Sequence, residues 1–285
     1  MLFSIIIPVF NKEEGIRKSI QSVLSQDLTD YEVIVINDGS TDSSMSILES
    51  LADTRFRIIS QKNSGPSAAR NRGISKASGD YSIFLDADDE LLPGALTTIW
   101  DEIQRYQSYN VFCFNHMIEQ NGRFFKRAKF YPNGVIWNNY RAWFFNMLIP
   151  CQGCVVIRTS VLKKYCYPEN LRRWEDASFM FDLMRNNKVV RLSEPSFVYH
   201  RSLSEGMFAR KSITEDFCGH LEPKGKSFWE KVCMYKLYKE AQRLYPNEVN
   251  TVYPKPIFSL AVKYTYVTSM AFIDILSNLV SKIKA

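Results

Sequence analysis

The sequence has no run of roughly eighteen uncharged apolar residues, so an ordinary transmembrane helix is not expected. It has no long Lys/Arg block either. Its net charge of +6 is dispersed, which argues against nucleic acid and suits anionic small molecules or an anionic membrane surface. Cysteine is sparse: six residues scattered over 285 do not make a small disulfide framework, and they predict reduced, buried thiols in a cytoplasmic protein. Cys151-x-x-Cys154 has no second such pair, which weighs against zinc, and His116 and His220 have no partner identifiable in the sequence. The N-terminus "MLFSIIIPVF" lacks a basic n-region and meets Pro8 early, so it reads as a strand and not as a secretory leader. Repeats and low-complexity tracts are also missing. What remains, 46% apolar and 23% charged, is the composition of a globular chain with an ample core.

Over the first hundred residues two patterns alternate. Residues 3–10, 31–38, 56–61 and 81–87 are apolar, β-branched runs that predict buried strands. Residues 12–26, 41–52 and 65–77 predict helices, the first placing Ile16, Ile20, Val23 and Leu24 on one face. Such alternation predicts an α/β fold with a mostly parallel sheet flanked by helices. Further on, a helix is expected at 95–106, a strand at 110–119 and a basic-aromatic hairpin at 122–134. Strand and then helix are expected at 153–165, a helix at 175–186, a strand at 194–202, and helices after 206.

In a parallel sheet ligands sit beyond the carboxyl ends of the strands. That rule lines up Asn11, Asp38 and Asp86 to Asp89 on one rim. The run "YSIFLDADDELL" then presents a problem, because four of the five residues from Asp86 to Glu90 are acidic and repel one another. Such carboxylates can hold a hard divalent cation, act as acid or base, or cap and solvate a loop. "NDGSTD" on the neighbouring strand can read a base or ribose through Asp38, or be a βα turn with a helix cap. Glu175 and Asp176 open a helix, where acidic residues also serve as plain N-terminal charges. Trp174, just before them, fits either an acceptor-stacking or a packing role.

"SIIIPVFNKEE", "YEVIVINDGSTDSS", "NSGPSAARNRGI" and "GDYSIFLDADDELLPGAL", in this order, resemble the family 2 glycosyltransferases of GT-A fold. A weaker likeness runs through "RTSVLKKYCYPENLRRWEDASFMFDLMRN", so the resemblance covers roughly residues 1–202. It implies that Pro8, Phe10, Asn11 and Glu13 form the first nucleotide-binding stretch and that Asp38 reads the uracil edge. Arg70 lies near base and diphosphate, and Asp86 and Asp88 form the D-x-D pair, with Asp88 the closer metal ligand. Asp176 is the general base, with Glu175 beside it. His200, Arg201 and Ser204 face the diphosphate or, for His200, the metal. The implied cofactor is Mn²⁺ or Mg²⁺, the donor a UDP-sugar and the acceptor a glycan or lipid-linked glycan in surface polysaccharide synthesis. The implied reaction is a single inverting displacement.

Three segments are expected: 1–95 for the nucleotide-sugar, 96–205 for the acceptor, and a helical extension at 206–285. The tail 256–285 is apolar nearly all round, with Lys263, Lys282 and Lys284 among few charges. Such a helix either lies in a membrane interface or packs on protein. The first option places the protein in the cytoplasm at the inner face of the cytoplasmic membrane. The sequence leaves oligomeric state open. The rival readings are a nucleotidyltransferase, for which "PVFNKEEG" is a poor phosphate loop, and a non-catalytic sugar-nucleotide-binding subunit of a membrane assembly.

Overall fold

The computed structural model describes residues 1–51, 53–128, 132–201 and 212–283, the side chains of 274–283 excepted. In chain order the elements are β1 (Phe3–Val9), α1 (Ile16–Leu24), β2 (Tyr31–Asn37), α2 (Ser44–Leu51), β3 (Phe56–Ser60), α3 (Pro66–Lys76), β4 (Tyr81–Phe84), β5 (Glu90–Leu91) and α4 (Ala95–Arg105). There follow β6 (Val111–Gln120), β7 (Arg123–Lys126), β8 (Gly134–Val135), α5 (Asn139–Phe144), β9 (Val155–Arg158), α6 (Thr159–Leu162), α7 (Glu175–Asn186) and β10 (Val189–His200). The chain ends in α8 (Phe228–Leu244), α9 (Val249–Val252) and α10 (Leu260–Ile283).

The chain divides into two compact units. The first comprises Met1–Trp137, Ile149–Asn170 and Glu175–Ala209. Its sheet has the order β3-β2-β1-β4-β9-β6-β10-β5, with β7 beside β6 and β8 beside β10. β3, β2, β1 and β4 are all parallel, as the strand–helix alternation predicts, and β2 is buried along its whole length because helices cover both faces. β9 then runs antiparallel between β4 and β6, so the sheet is mixed beyond β4. Ile16, Ile20 and Val23 of α1 are fully buried, and Leu24 is half-buried at the stripe's margin.

The expected hairpin forms differently from its sequence reading. β7 pairs back onto β6 through the turn Asn121-Gly122, whose φ angles of 54° and 75° are those of a tight primed turn. Residues 129–131 of the expected hairpin lie outside the described residues. β10 begins at Val189, earlier than the expected residue 194, and its pairing with β6 shifts register on both sides of Pro195. Proline cannot donate to the ladder, so the strand bulges there.

The second unit comprises Asn138–Leu148, Leu171–Trp174 and Arg210–Ala285. It therefore takes in two segments from within the range expected for the acceptor half. Its centre is aromatic: Phe144 and Phe145 of the α5 region pack on Trp229 of α8, and Tyr235 of α8 packs on Phe258 and Tyr266. Asp216, wholly buried, accepts from Tyr245 Oη at 2.9 Å and the Cys218 amide at 3.0 Å, and pairs with Arg173 at 3.3 Å. One face of α10 is thus protein-facing through Val262 and Tyr266, while Leu260, Tyr264, Val267 and Phe272 are exposed. Lys282 and Lys284 fall outside the described side chains. Among the described residues no helix is long and apolar enough to cross a membrane.

Candidate active site

The site lies at the carboxyl ends of β1, β2 and β4, in the first unit. As β1 ends, Asn11 takes a left-handed φ of 49°, which turns the chain sharply toward α1. Asn11 Oδ1 accepts from the Thr41 amide at 2.8 Å, and Glu13 Oε2 accepts from the Ser43 amide at 2.9 Å. These two residues therefore clamp the loop after β1 to the loop after β2. Pro8 stays within β1, and Phe10 is exposed beside the clamp.

Asp38 follows β2 and is buried. Its carboxylate accepts from Gln61 Nε2 at 2.7 Å and from the amides of Ser64 at 2.8 Å and Gly65 at 2.8 Å. Those bonds fix the entry to α3. A carboxylate offers about four acceptor positions, so one remains for a further donor. Gly39 next to it has φ of 76°, and a side chain there would also lie 2.9 Å from the Asn63 amide nitrogen.

Arg70 is the hub. It projects from α3, almost wholly buried, and pairs with Asp86 at 2.9 Å and Glu175 at 3.2 Å. Its guanidinium also sits over the Tyr167 ring, 5.4 Å from the centroid. Burial pulls its pKa down, but the charges of Asp86, Tyr167 and Glu175 outweigh that and hold it above the ordinary value. Tyr167 is in turn fixed: its ring stacks on Phe179 at 4.0 Å, its hydroxyl donates to Gln152 Oε1 at 2.8 Å, and its backbone exchanges hydrogen bonds with Asn71.

Asp88 pairs with Lys12 Nζ. Asp89 is buried, accepts from the His200 amide at 3.0 Å, and is pushed well above the carboxylate range by burial and then by the charges of Asp86 and Asp88. The acidic cluster therefore holds more negative charge than Lys12 and Arg70 can neutralise. That surplus, on hard oxygen donors, fits a divalent cation at Asp86 and Asp88. His200 turns elsewhere: its Nε2 lies 2.7 Å from Glu90 Oε1, too poorly aligned for a hydrogen bond, and its Nδ1 lies 3.5 Å from Glu119. The ligand atoms of Asp86, Asp88 and His200 are not gathered around one point. Among the described residues the only three ligand atoms of His, Cys, Asp or Glu lying within 4.8 Å of one another belong to His116, Cys151 and Cys154.

Asp176 occupies the first turn of α7, with Glu175 before it. Its carboxyl accepts from the Ala177 amide at 2.7 Å. Burial and then the adjacent charge of Glu175 push it up to about 6, although it keeps some solvent access. Trp174, immediately before Glu175, has a left-handed φ of 55°, an uncommon conformation for a bulky residue. Arg201 donates to Gln120 Oε1 at 3.4 Å, and its amide donates to the Glu119 carbonyl at 3.1 Å. Ser204 lies outside the described residues.

Three contributors carried no sequence signal strong enough to assign them. Lys12 was not singled out by the sequence, and the fold sets it against Asp88. Gly15 fell within the expected helix 12–26, and a side chain there would lie 2.9 Å from Asp88 Cα and 3.1 Å from Ala87 O. Tyr167 was not singled out either, and its place under Arg70 depends on a contact between residues far apart in sequence.

The family model described as glycosyl transferase family 2 matches residues 4–166. Among curated relatives, the minor teichoic acid biosynthesis protein GgaA of Bacillus subtilis is 31% identical over 230 residues, covering 74% of this chain and 50% of that protein. The GalNAc(5)-diNAcBac-PP-undecaprenol β-1,3-glucosyltransferase of Campylobacter jejuni is 37% identical over 127 residues, covering 43% of this chain and 40% of that protein. The chain thus spans half or less of the length of these relatives. In fold it is similar to residues 1–349 of TarS from S. aureus in complex with UDP-GlcNAc, with a TM-score of 0.70 at 20% identity, covering 94% of this chain and 79% of that one.

Proposed function

The chain belongs to glycosyl transferase family 2, and from that premise we propose that it transfers a sugar from a UDP-linked donor to a hydroxyl of a cell-surface or lipid-linked glycan, inverting the anomeric carbon. One observation carries the reading. A single guanidinium, Arg70, pairs with Asp86 at the end of β4 and with Glu175 at the start of α7. That pairing supports one site holding Asp86 of the D-x-D pair and the candidate base Asp176, which follows Glu175.

In this mechanism Phe10 and the remaining acceptor position of Asp38 orient the nucleotide, while Asn11 and Glu13 hold their loop in place. Asp86 and Asp88 would hold Mn²⁺ or Mg²⁺, which when bound supplies positive charge beside the leaving diphosphate. Lys12 and Arg70 add cationic donors on the same side. Asp176 removes the proton from the acceptor hydroxyl as the new glycosidic bond forms. Its pKa of about 6 suits that role, because the carboxylate is ionised at neutral pH yet basic enough to take a proton. His200 supports the rim through its amide, which donates to Asp89.

The printed names of the relatives, a teichoic acid biosynthesis protein and an undecaprenol-linked glucosyltransferase, support a surface-glycan acceptor. A lipid-linked acceptor would bring the protein to the inner face of the cytoplasmic membrane. The exposed Leu260, Tyr264, Val267 and Phe272 of α10 are the surface we assign to that attachment. Truncation at residue 254 would also uncover Tyr235 and Phe144, so substitution is the cleaner test. Leu260→Gln with Val267→Gln should abolish flotation with anionic liposomes and leave folding intact; unchanged flotation would remove the assignment.

The decisive experiment is incubation of the protein with Mn²⁺ and a panel of nucleotide-sugars, following nucleotide release. The reading expects UDP from one UDP-sugar, lost on adding EDTA and in Asp88→Ala. Full turnover in EDTA would sink the metal dependence, and turnover only with another nucleotide would sink the UDP assignment.

A further inference from the structure

The geometry points to a second cation site, for a thiophilic ion of the Zn²⁺ class, formed by His116, Cys151 and Cys154 and separate from the D-x-D rim. Cys151 Sγ lies 3.3 Å from Cys154 Sγ and 3.6 Å from His116 Nδ1, and all three ligand atoms lie within 4.8 Å of one another. Zinc bonds to sulfur and imidazole nitrogen make tetrahedral edges of about 3.8 Å between sulfurs and about 3.6 Å between sulfur and nitrogen. The donors therefore stand close to coordinating separation without any rearrangement of the backbone. Two thiols and an imidazole prefer a soft or borderline ion to the hard cations that carboxylates hold.

The surroundings build the site further. Cys151 caps the short turn Gln152–Cys154 that leads into β9, and its backbone amide donates to Cys154 Sγ at 3.2 Å. That bond orients the sulfur as an outer-shell partner does in metal centres. His116 comes from β6, and the ring of Phe197 packs against it at 5.2 Å. The same Phe197 ring lies where a side chain on Gly153 would have to go, 2.5 Å from its position, so only glycine lets the turn approach β10 this closely. One aromatic ring thus sets both the imidazole and the cysteine turn. Cys113 Sγ, 3.8 Å from Cys154 Sγ, adds a further sulfur beside the cluster. Three protein donors leave one coordination position for water.

The site is coupled to the rim by a short path. Gln152, between the two cysteines, holds the Tyr167 hydroxyl, and Tyr167 supports Arg70. The assignment of the cation does not depend on the proposed glycosyl transfer, and its test reads the cation directly.

The full chain, purified under reducing conditions and stripped with chelator, is titrated with Co²⁺ and then Zn²⁺. Expected are one Co²⁺ with sulfur-to-cobalt charge-transfer absorption, displaced by one Zn²⁺, and the same stoichiometry in Asp88→Ala. Cys151→Ser and His116→Gln should each weaken Zn²⁺ by more than the roughly 10–100-fold that loss of an outer-shell partner costs, with unchanged circular dichroism showing that they fold. Absence of the charge-transfer band in the unsubstituted protein overturns the proposal. So does Zn²⁺ affinity unchanged in both variants, or a Cys151–Cys154 disulfide that persists under reduction in place of metal uptake.

Discussion

Glu32 and Asp89 are buried carboxyl groups at opposite ends of the same sheet, and their environments push them in opposite directions. Glu32, at the start of β2, accepts from Ser4 Oγ at 2.7 Å and from the Ser78 amide and hydroxyl at 2.7 and 2.8 Å, with Arg57 at 3.6 Å. Burial raises its pKa, but these donors more than offset that and leave it below the glutamate range. Asp89, at the other end, has the His200 amide as donor against burial and two neighbouring carboxylates, and it is raised. Asp176 is raised for the same reasons. One end of the sheet satisfies its charge and the other accumulates it. A folding requirement explains the first arrangement, whereas the second makes sense when a cation and a proton acceptor are needed there.

The sharpest way to break this comparison is Asp176→Asn. Transfer should fall by about 10²–10⁴ with donor affinity retained. Stability should move the other way: the raised carboxyl costs the fold nothing below the unfolded-state aspartate value, its penalty grows as pH rises from there to about 6, and it is fully present above that. The melting temperature should therefore rise in the variant at pH 8 and converge with that of the original below about pH 4, near the unfolded-state aspartate value. A lower melting temperature at pH 8 would mean that Asp176 is structural, like Glu32.

Gly15→Ala comes next. The added carbon presses on Asp88 Cα, and displacing a ligand-bearing backbone by a fraction of an ångström should cost up to about 10²-fold in nucleotide release. Unchanged release would show that the acidic loop yields freely. A smaller effect is expected from pH alone. Transfer should drop about tenfold per pH unit below about 6, as the base becomes protonated, and Asp176→Asn should lose that limb. Smallest for activity is Glu32→Gln. It should leave turnover unchanged while destabilising by about 1–3 kcal/mol through its weakened hydrogen-bond set. Because the folded-state pKa of Glu32 is depressed, its contribution is present above the ordinary glutamate value and is lost as pH falls through the folded one. Denaturant melts at pH 7 and pH 3 should thus differ less in the variant.

The sequence by itself determined the strand–helix alternation through β4, because apolar periodicity is a local property that burial reads directly. α7 falls on residues 175–186 as its pattern predicts, and the acidic rim is legible as carboxylates following an apolar strand. The antiparallel insertion of β9, the early start of β10 and the Asn121-Gly122 hairpin partner were not legible, since pairing depends on which distant strand offers a free edge. Only the tertiary structure set Lys12 against Asp88, stretched Arg70 between Asp86 and Glu175, and joined His116 to a cysteine pair thirty-five residues away in the chain. The reason is range. Secondary structure follows from neighbours along the chain, whereas the charge state of a carboxyl and the company of a thiol depend on side chains that only folding brings within a few ångströms.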